Sequence, residues 1–416
     1  MTNMQAFAGK GKDVVAHAVA AAEPSPRELD AWCRLSEGAW PVELGAAWLR
    51  AEWARITRQS YVTVYTADEC AQAAASWLLL EGTEKRRGYG VFDLLLDSHI
   101  DEAMRDAMLT SDEDAQRYAA LRERAGALSS MRTATITTTS SYFPGVVWDN
   151  TLDGVMASRA ARGTIESVLA HAREQGASFA AVVNVPEEPP FDTLRHALEA
   201  LEFVRVTSAP DSSLKIPAGG IDAYLQNIRR SFRQAVRKEM RVFAAAVDRV
   251  AVYGADRLLE PDLLELLDAR YSKYGHATTP ASIADRLSRV ASIDGLRVLV
   301  VERAGKVAGF AALVPDVTHR RLIPRLSACS INDVYIYFNL IFYELIRLGA
   351  EWGFTEIALG STAYRAKLLR GAHLRPRATF LRPLDDGCAQ QLDEALAFRN
   401  EVEETRLRAI AEIAAP

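Results

Sequence analysis

GLRVLVVERAGKVAGFAALVP, residues 295–315, contains two runs rich in branched apolar residues separated by Ala304-Gly305-Lys306, and it reads as a β-hairpin turning at those three residues. RLIPRLSACS (321–330) follows as a strand able to pair beside it. VYIYFNLIFYELIRLGAEWG (334–353) is a helix apolar on most sides and hence central, and it delivers the chain to a strand, TEIALGS (355–361). Hairpin, strand, helix and strand in this order make a mixed α/β layer.

Before the hairpin come two helices, PDLLELLDARYSKYG (261–275) and a second around Ala281–Val290. Further back, IDAYLQNIRRSFRQAVRKEMRVFAAAV (221–247) reads as one long helix, with Tyr224, Leu225, Ile228, Phe232, Val236, Met240 and Phe243 spaced as a single buried stripe. The first half of the chain shows the same order of elements. An amphipathic helix over Ala39–Arg55 leads to SYVTVYTA (60–67) and QAAASWLLLEG (72–82), a hairpin about Asp68-Glu69. A polar helix, Asp112–Ala125, precedes the Thr-rich strand MRTATITTTSSYF (131–143), which stops at Pro144-Gly145. Then come a helix from Gly154 to Glu174 ended by Gly176, the strand SFAAVVNVP (178–186), the helix FDTLRHALEALEF (191–203) and two strands, VRVTSA (204–209) and SLKIP (213–217). The expected fold class is α/β: two tandem domains, each a mixed, mostly antiparallel sheet flanked by helices. The boundaries are an N-terminal extension 1–38, a first domain 39–218, a second domain 219–384 and a C-terminal helical tail 385–416. The parallel order of elements implies a structural duplication; the alternative is two unrelated α/β domains alike only at this coarse level.

A chain of 416 residues, 49% hydrophobic and 25% charged, has the composition of a folded globule large enough for two cores. It contains no apolar run of about 18 residues and its first residues lack a signal peptide's apolar segment, so the expected location is cytoplasmic, with no integral membrane association. Cys33, Cys70, Cys329 and Cys388 are scattered without a CxxC pair, which points to buried small hydrophobes and against a zinc knuckle or disulfide framework; no metal is expected. The net charge of −5 is unevenly spread: residues 201–384 carry 27 basic and 18 acidic side chains, the remainder 22 and 36. A basic half on an acidic chain suggests a phosphate-bearing ligand there, and argues against DNA.

Four stretches carry a family resemblance: GAWPVELGAAWLRAEW (38–53), EALEFVRV (199–206), YLQNIRRSFRQAVRKEMRVF (224–243), and IYFNLIFYELIRLGAEWGFTEIALGSTAYRAKLLRGAHLRP (336–376). In order and spacing they resemble the FemABX-type transferases, whose halves have the GNAT fold. The resemblance implies an acyl- or aminoacyl-transferase moving an acyl group from an aminoacyl-tRNA or acyl-CoA ester to a primary amine of a small molecule, peptide or cell-wall precursor. It implies charged tRNA as a partner, no tightly bound cofactor, no metal and no covalent intermediate. GNAT enzymes that use acetyl-CoA carry an Arg/Gln-x-x-Gly-x-Gly/Ala turn at a helix N-terminus. In RAARGTIESVLAHAREQG (159–176), taken as the corresponding turn with Arg162-Gly163 at its start, Ile165 and Ser167 replace the small residues, and SINDVYIYFNL (330–340) has no glycine. That shifts weight toward aminoacyl-tRNA or an unusual thioester mode, and it motivates a second reading, a non-catalytic GNAT-fold protein that binds a phosphate-bearing ligand.

Lys367 matches the family lysine of the closing segment, where an ammonium holds a donor phosphate or neutralises the tetrahedral oxyanion; the competing reading is a solvated lysine whose stem covers apolar neighbours. Arg365 and Arg370 lie beside it, Arg370 as an extension of the anion site. Arg230, Arg233, Arg237 and Arg241 share one helix face, a phosphate-binding ridge or else a solvated basic face. Candidate bases are Asp333, Glu344, Tyr364 and His373, with Tyr335 and Tyr337 as wall residues and solvent as an alternative base. KRRGYG (85–90) superficially resembles a phosphate loop but follows a hairpin, so it reads as a connector.

Overall fold

The computed structural model describes residues 17–21, 26–38, 40–45, 47–49, 59–65, 70–81, 90–91, 94–95, 112–138, 143–273, 278–330, 334–385, 387 and 389–414. They form two compact units, one made of residues up to 210 together with 375–414, the other of 211–374. Asp68-Glu69, Asp333, Cys388 and nearly all of KRRGYG lie outside the described residues, and of the helix expected over Ala39–Arg55 the described part shows a 3-10 turn at Val42–Leu44 and helical residues 47–49.

In the first unit β1 (His17–Ala21), β2 (Gln59–Tyr65), β3 (Ala71–Leu80) and β4 (Thr133–Ile136) form an antiparallel run. β5 (Val146–Trp148) pairs with the near end of β3, and β6 (Phe179–Pro186) lies parallel to β4. A parallel neighbour requires a crossover, and the 21-residue helix Gly154–Glu174 supplies it. Helices α1 (Pro26–Ser36), α2 (Asp112–Arg124), α3 (that crossover) and α4 (Asp192–Ala200) surround the sheet. The core joins Trp32, Trp40, Trp77 and Trp148 to the alanine face of α3, whose Ala157, Ala160, Ala161 and Ala172 let the helix lie close on the strands. Asp153 caps α3: its Oδ1 accepts from the N–H groups of Val155 and Met156 at 3.0 and 2.9 Å. We expect Asp153→Ala to cost about 1 kcal/mol, read as a lower Tm.

The second unit repeats this order. β8 (Arg249–Tyr253), β9 (Arg297–Arg303), β10 (Lys306–Asp316) and β11 (Arg321–Cys329) are antiparallel, and β12 (Glu356–Ala358) lies parallel to β11. The β9–β10 hairpin turns where expected, with Ala304 and Gly305 both at positive φ, 51° and 69°, as a two-residue turn matched to strand twist requires. α7 (Pro261–Lys273) and α8 (Pro280–Ala291) precede β9, and α8 starts with a capping box between Thr279 and Ser282 followed by Pro280. The crossover from β11 to β12 runs through α9 (Ile336–Phe338), a π turn at Asn339–Tyr343 and α10 (Glu344–Glu351), and is largely buried, as its all-round apolar sequence implies.

Four expectations are corrected. The long helix over 221–247 is two helices, α5 (Gly220–Asn227) and α6 (Arg230–Ala246), broken where Ile228 and Arg229 are extended; Arg233 of α6 turns back to donate to the carbonyls of Gln226 and Ile228, at 2.8 and 3.3 Å. VRVTSA and SLKIP are one strand, β7 (Val204–Lys215). The N-terminal extension contributes β1 and α1 to the first unit. The domain boundaries also shift, because the closing strands are exchanged. The sheet of the first unit is completed by residues 377–383 of β13 (His373–Pro383), antiparallel to β6, whereas β12 of the second is flanked by residues 213–215 of β7. The C-terminal helix α12 (Ala389–Ala414) belongs with the first unit, tied by Arg117–Glu401 and Arg124–Glu394 ion pairs and by Tyr118 against Phe398. No helix among the described residues is long and apolar enough to cross a membrane. Cys33 and Cys329 are half-buried and Cys70 is exposed, so the cysteines are not uniformly core residues.

Candidate active site in the second unit

β11 and β12 pair at only two positions, Arg321 with Glu356 and Leu322 with Ile357. Beyond them β11 stays with β10 to Cys329, while β12 stays with β7, so the two parallel strands part at their carboxyl ends. Along the way β11 bulges: Ala312 opposes Leu326 and Leu313 opposes Pro324, leaving Arg325 as the extra residue. Crevices at the carboxyl ends of parallel strands are where ligands bind in open α/β sheets.

Lys367 sits at the carboxyl end of β12. After β12 the chain passes Gly360 and Ala363 at positive φ and forms the short helix α11 (Tyr364–Leu368), which turns Lys367 back toward the strand end. Only 2% of the residue is exposed. Its Nζ donates to the carbonyls of Leu359 and Gly360 at 2.7 and 2.8 Å, and Ser212 Oγ also donates to Gly360 O. An ammonium has three N–H groups, so two hold the backbone and one remains. Burial lowers the Lys367 pKa to about 8, against the opposing pull of the buried Asp211 carboxylate. The solvated-lysine reading is excluded. The buried Tyr364 ring has its centroid 6.0 Å from Nζ.

The other candidates scatter. His373 is exposed and its Nε2 meets Ser213 Oγ at 2.8 Å; successive strand residues face opposite ways, so Ser213 points away from the side on which Ser212 meets Gly360. Arg365 is exposed. Arg370 is not an anion site: at 5% exposure it forms an ion pair with Glu239 at 2.8 Å, donates from Nε to Tyr343 Oη at 2.9 Å and stacks 3.6 Å above the Phe338 ring. Burial pulls its pKa down, but Tyr343 and Glu239 outweigh burial and hold it above the ordinary arginine value. Tyr343 in turn donates to Glu239, and burial raises its pKa far out of the neutral range. On α6, Arg230, Arg237 and Arg241 are exposed on the face away from Val236 and Phe243, whereas Arg233 is half-buried against the helix break. Glu344 pairs with Arg347.

Arg162 and Gly163 lie in the middle of α3, with Arg162 paired to Glu166, so they do not open a helix; the N-terminus of α3 is occupied by the Asp153 carboxylate, which leaves no cradle for phosphate there. In the second unit a pocket of about 120 Å³ lies beside the end of β11 and includes Arg270, Lys273 and Tyr337. Tyr337 was expected as a wall residue. Arg270 and Lys273 were not, because two basic residues in the last turn of a helix read as ordinary complements of the helix dipole.

No described protein family and no curated protein matches the chain. Among solved structures, FemX superposes with a TM-score of 0.55 at 11% identity, over 90% of this chain and 100% of that one. The chain has the fold of FemX. More distant likenesses are L-PGS from Bacillus licheniformis, TM-score 0.49 at 11% identity over 91% and 96% of the two chains, and a tandem GNAT protein from the clavulanic acid biosynthesis pathway, 0.45 at 9% over 88% and 98%.

Proposed function

We propose that the chain is an acyl- or aminoacyl-transferase whose reaction centre lies in the second unit, at the parted ends of β11 and β12. The observation that carries this reading is Lys367: a buried ammonium, fixed by two carbonyls, with a third N–H to offer. The FemX fold and the resemblance of 336–376 to the FemABX closing segment support it. In the reaction, an amine nitrogen attacks the carbonyl carbon of an ester or thioester. The carbonyl oxygen becomes an oxyanion, the bond to the donor oxygen or sulfur breaks, and the proton lost by nitrogen ends on the leaving alcohol or thiol through solvent. The part of Lys367 is to stabilise the oxyanion, in a site where little reorganisation is needed. Aminoacyl-tRNA and acyl-CoA are the candidate donors, and the exposed arginines of α6, Arg230, Arg237 and Arg241, with Arg365, are candidate contacts for donor phosphates. In this scheme the Asp153 carboxylate, which caps α3, disfavours a donor phosphate at that helix N-terminus of the first unit.

A donor screen by mass spectrometry, pairing aminoacyl-tRNAs and acyl-CoAs with mixed amine acceptors, is expected to yield one amide product; a protein that binds and transfers from neither donor is not a transferase. The pH profile is the sharper test. Because the folded-state pKa of Lys367 is lowered to about 8, the catalytic cation is expected to vanish above that pH, giving a falling limb in kcat near 8. A neutral amine keeps two N–H groups, enough for both carbonyls, so the fold persists. The linkage has the corresponding sign: between about 8 and the ordinary lysine value of 10.5 the unfolded chain binds the extra proton, so this residue makes the protein more stable as pH rises through that window.

A further inference from the structure

The pocket at the end of β11 is walled by Arg270 and Lys273 from the last turn of α7, by Ser327 and Ala328 of β11, and by Tyr337 and Leu340 of the crossover. No acidic residue among the described residues lines it. Gly309 of β10 makes room for this junction: a Cβ there would stand 2.8 Å from Ile336 Cγ2 and 3.4 Å from the Cβ of Cys329. The arginines of this unit divide by partner: Arg233, Arg297 and Arg320 donate to backbone carbonyls. Arg257, Arg289, Arg321, Arg347 and Arg370 each hold a carboxylate. Arg270 meets only neutral oxygens among the described residues: Nη1 donates to the Ser327 carbonyl and to Ser327 Oγ, the latter at 3.1 Å. Its Nε and Nη2 edge, the fork that matches a carboxylate, is left over. The field reaches across the pocket: burial raises the pKa of the Cys329 thiol, and Arg270 and Lys273 both pull against that rise.

We infer that this pocket binds a carboxylate carried on a short apolar stem, with Arg270 as the bidentate partner, Lys273 as the second cation and the stem lying along Ala328 and Leu340. A planar acid suits the guanidinium edge, and a space of about 120 Å³ admits one acid group on a short stem. On the transferase reading, on which this step rests, the carboxylate belongs to the acceptor: the substrate is an amine that also bears an acid.

The test begins with binding alone. Butyrate and butyramide, equal in shape and different in charge, are titrated into the full-length chain by ligand-detected NMR. Butyrate is expected to bind at least tenfold more tightly, and Arg270→Gln to erase the difference. Lys273→Gln, at an exposed position, is expected to weaken butyrate severalfold without affecting butyramide, and it serves if Arg270→Gln does not fold. Equal binding of the two probes by the unaltered protein, or a preference that survives both substitutions, overturns the site. Inorganic phosphate displacing butyrate at a lower concentration than butyrate itself needs overturns the carboxylate assignment. In the donor screen, transfer to amines regardless of an acid group removes the acceptor assignment alone. Absence of any transfer, with the butyrate preference intact, removes the transferase reading and leaves the binding site standing.

Discussion

Replacing Lys367 with Met is expected to lower kcat by about 10²–10³-fold with little change in KM, the loss typical of removing one preorganised oxyanion donor. The reasoning is geometric. Met fits the buried place of the lysine stem but has no donor for the Leu359 and Gly360 carbonyls and no charge for the reaction. Two effects therefore have to be separated. The Leu359 carbonyl, left without its donor, lowers stability by roughly 1–3 kcal/mol if water cannot reach it, while the Gly360 carbonyl keeps the Ser212 hydroxyl, and the loss is read as a shift in Tm. The missing cation acts on turnover at temperatures where the variant is fully folded. The falling limb near pH 8 should disappear together with the activity, because the group that titrates there is gone. A folded Lys367→Met enzyme with unchanged kcat would falsify the assignment.

The second large effect concerns stability. Glu239→Ala is expected to cost about 3–5 kcal/mol, because it strands the Arg370 guanidinium without its carboxylate in the interior. For a chain of this size the Tm falls by about 3–6 °C. Replacing Glu239 and Arg370 together by Met should restore much of the loss, since burying neither charge removes the desolvation penalty as well as the attraction. Thermal melts of the two single variants and the double variant measure the coupling directly. Losses that simply add, with no recovery in the double variant, would mean the pair is not an energetic unit. The latch also ties α6 to the crossover, since Asn339 Nδ2 donates to the Glu239 carbonyl at 3.4 Å.

Sequence reading reached those parts of the molecule whose cause is local. The hairpin at 295–315 was legible because Ala304-Gly305 and the flanking branched residues specify the turn and both strands within 21 residues. The helix from Gly154 to Glu174 was legible from its periodicity. The buried stripe from Tyr224 to Phe243 was also found, yet its continuity hid the break at Ile228-Arg229: the apolar spacing persists through a kink that the Arg233 contacts fix. Arg370 was assigned to ligand binding because its partner, Glu239, lies far away in sequence, and charge spacing within one segment carries no information about such a pair. Lys367 was singled out by resemblance and not by spacing; its burial follows from two positive-φ residues, Gly360 and Ala363, of which only the glycine advertises itself in sequence. The exchange of closing strands left no local mark at all, since residues 377–383 look equally suited to either sheet.

That exchange bears on how the protein is made. Residues 377–383 lie against β6, nearly two hundred positions upstream, and α12 follows them into the same unit. On a ribosome, the amino-terminal half emerges long before the segment that finishes it. Its sheet must wait with one flank lacking its neighbouring strand until residues 377–383 have been made. Biogenesis therefore cannot proceed one half at a time; a segment made after the whole second unit is the one that seals the first.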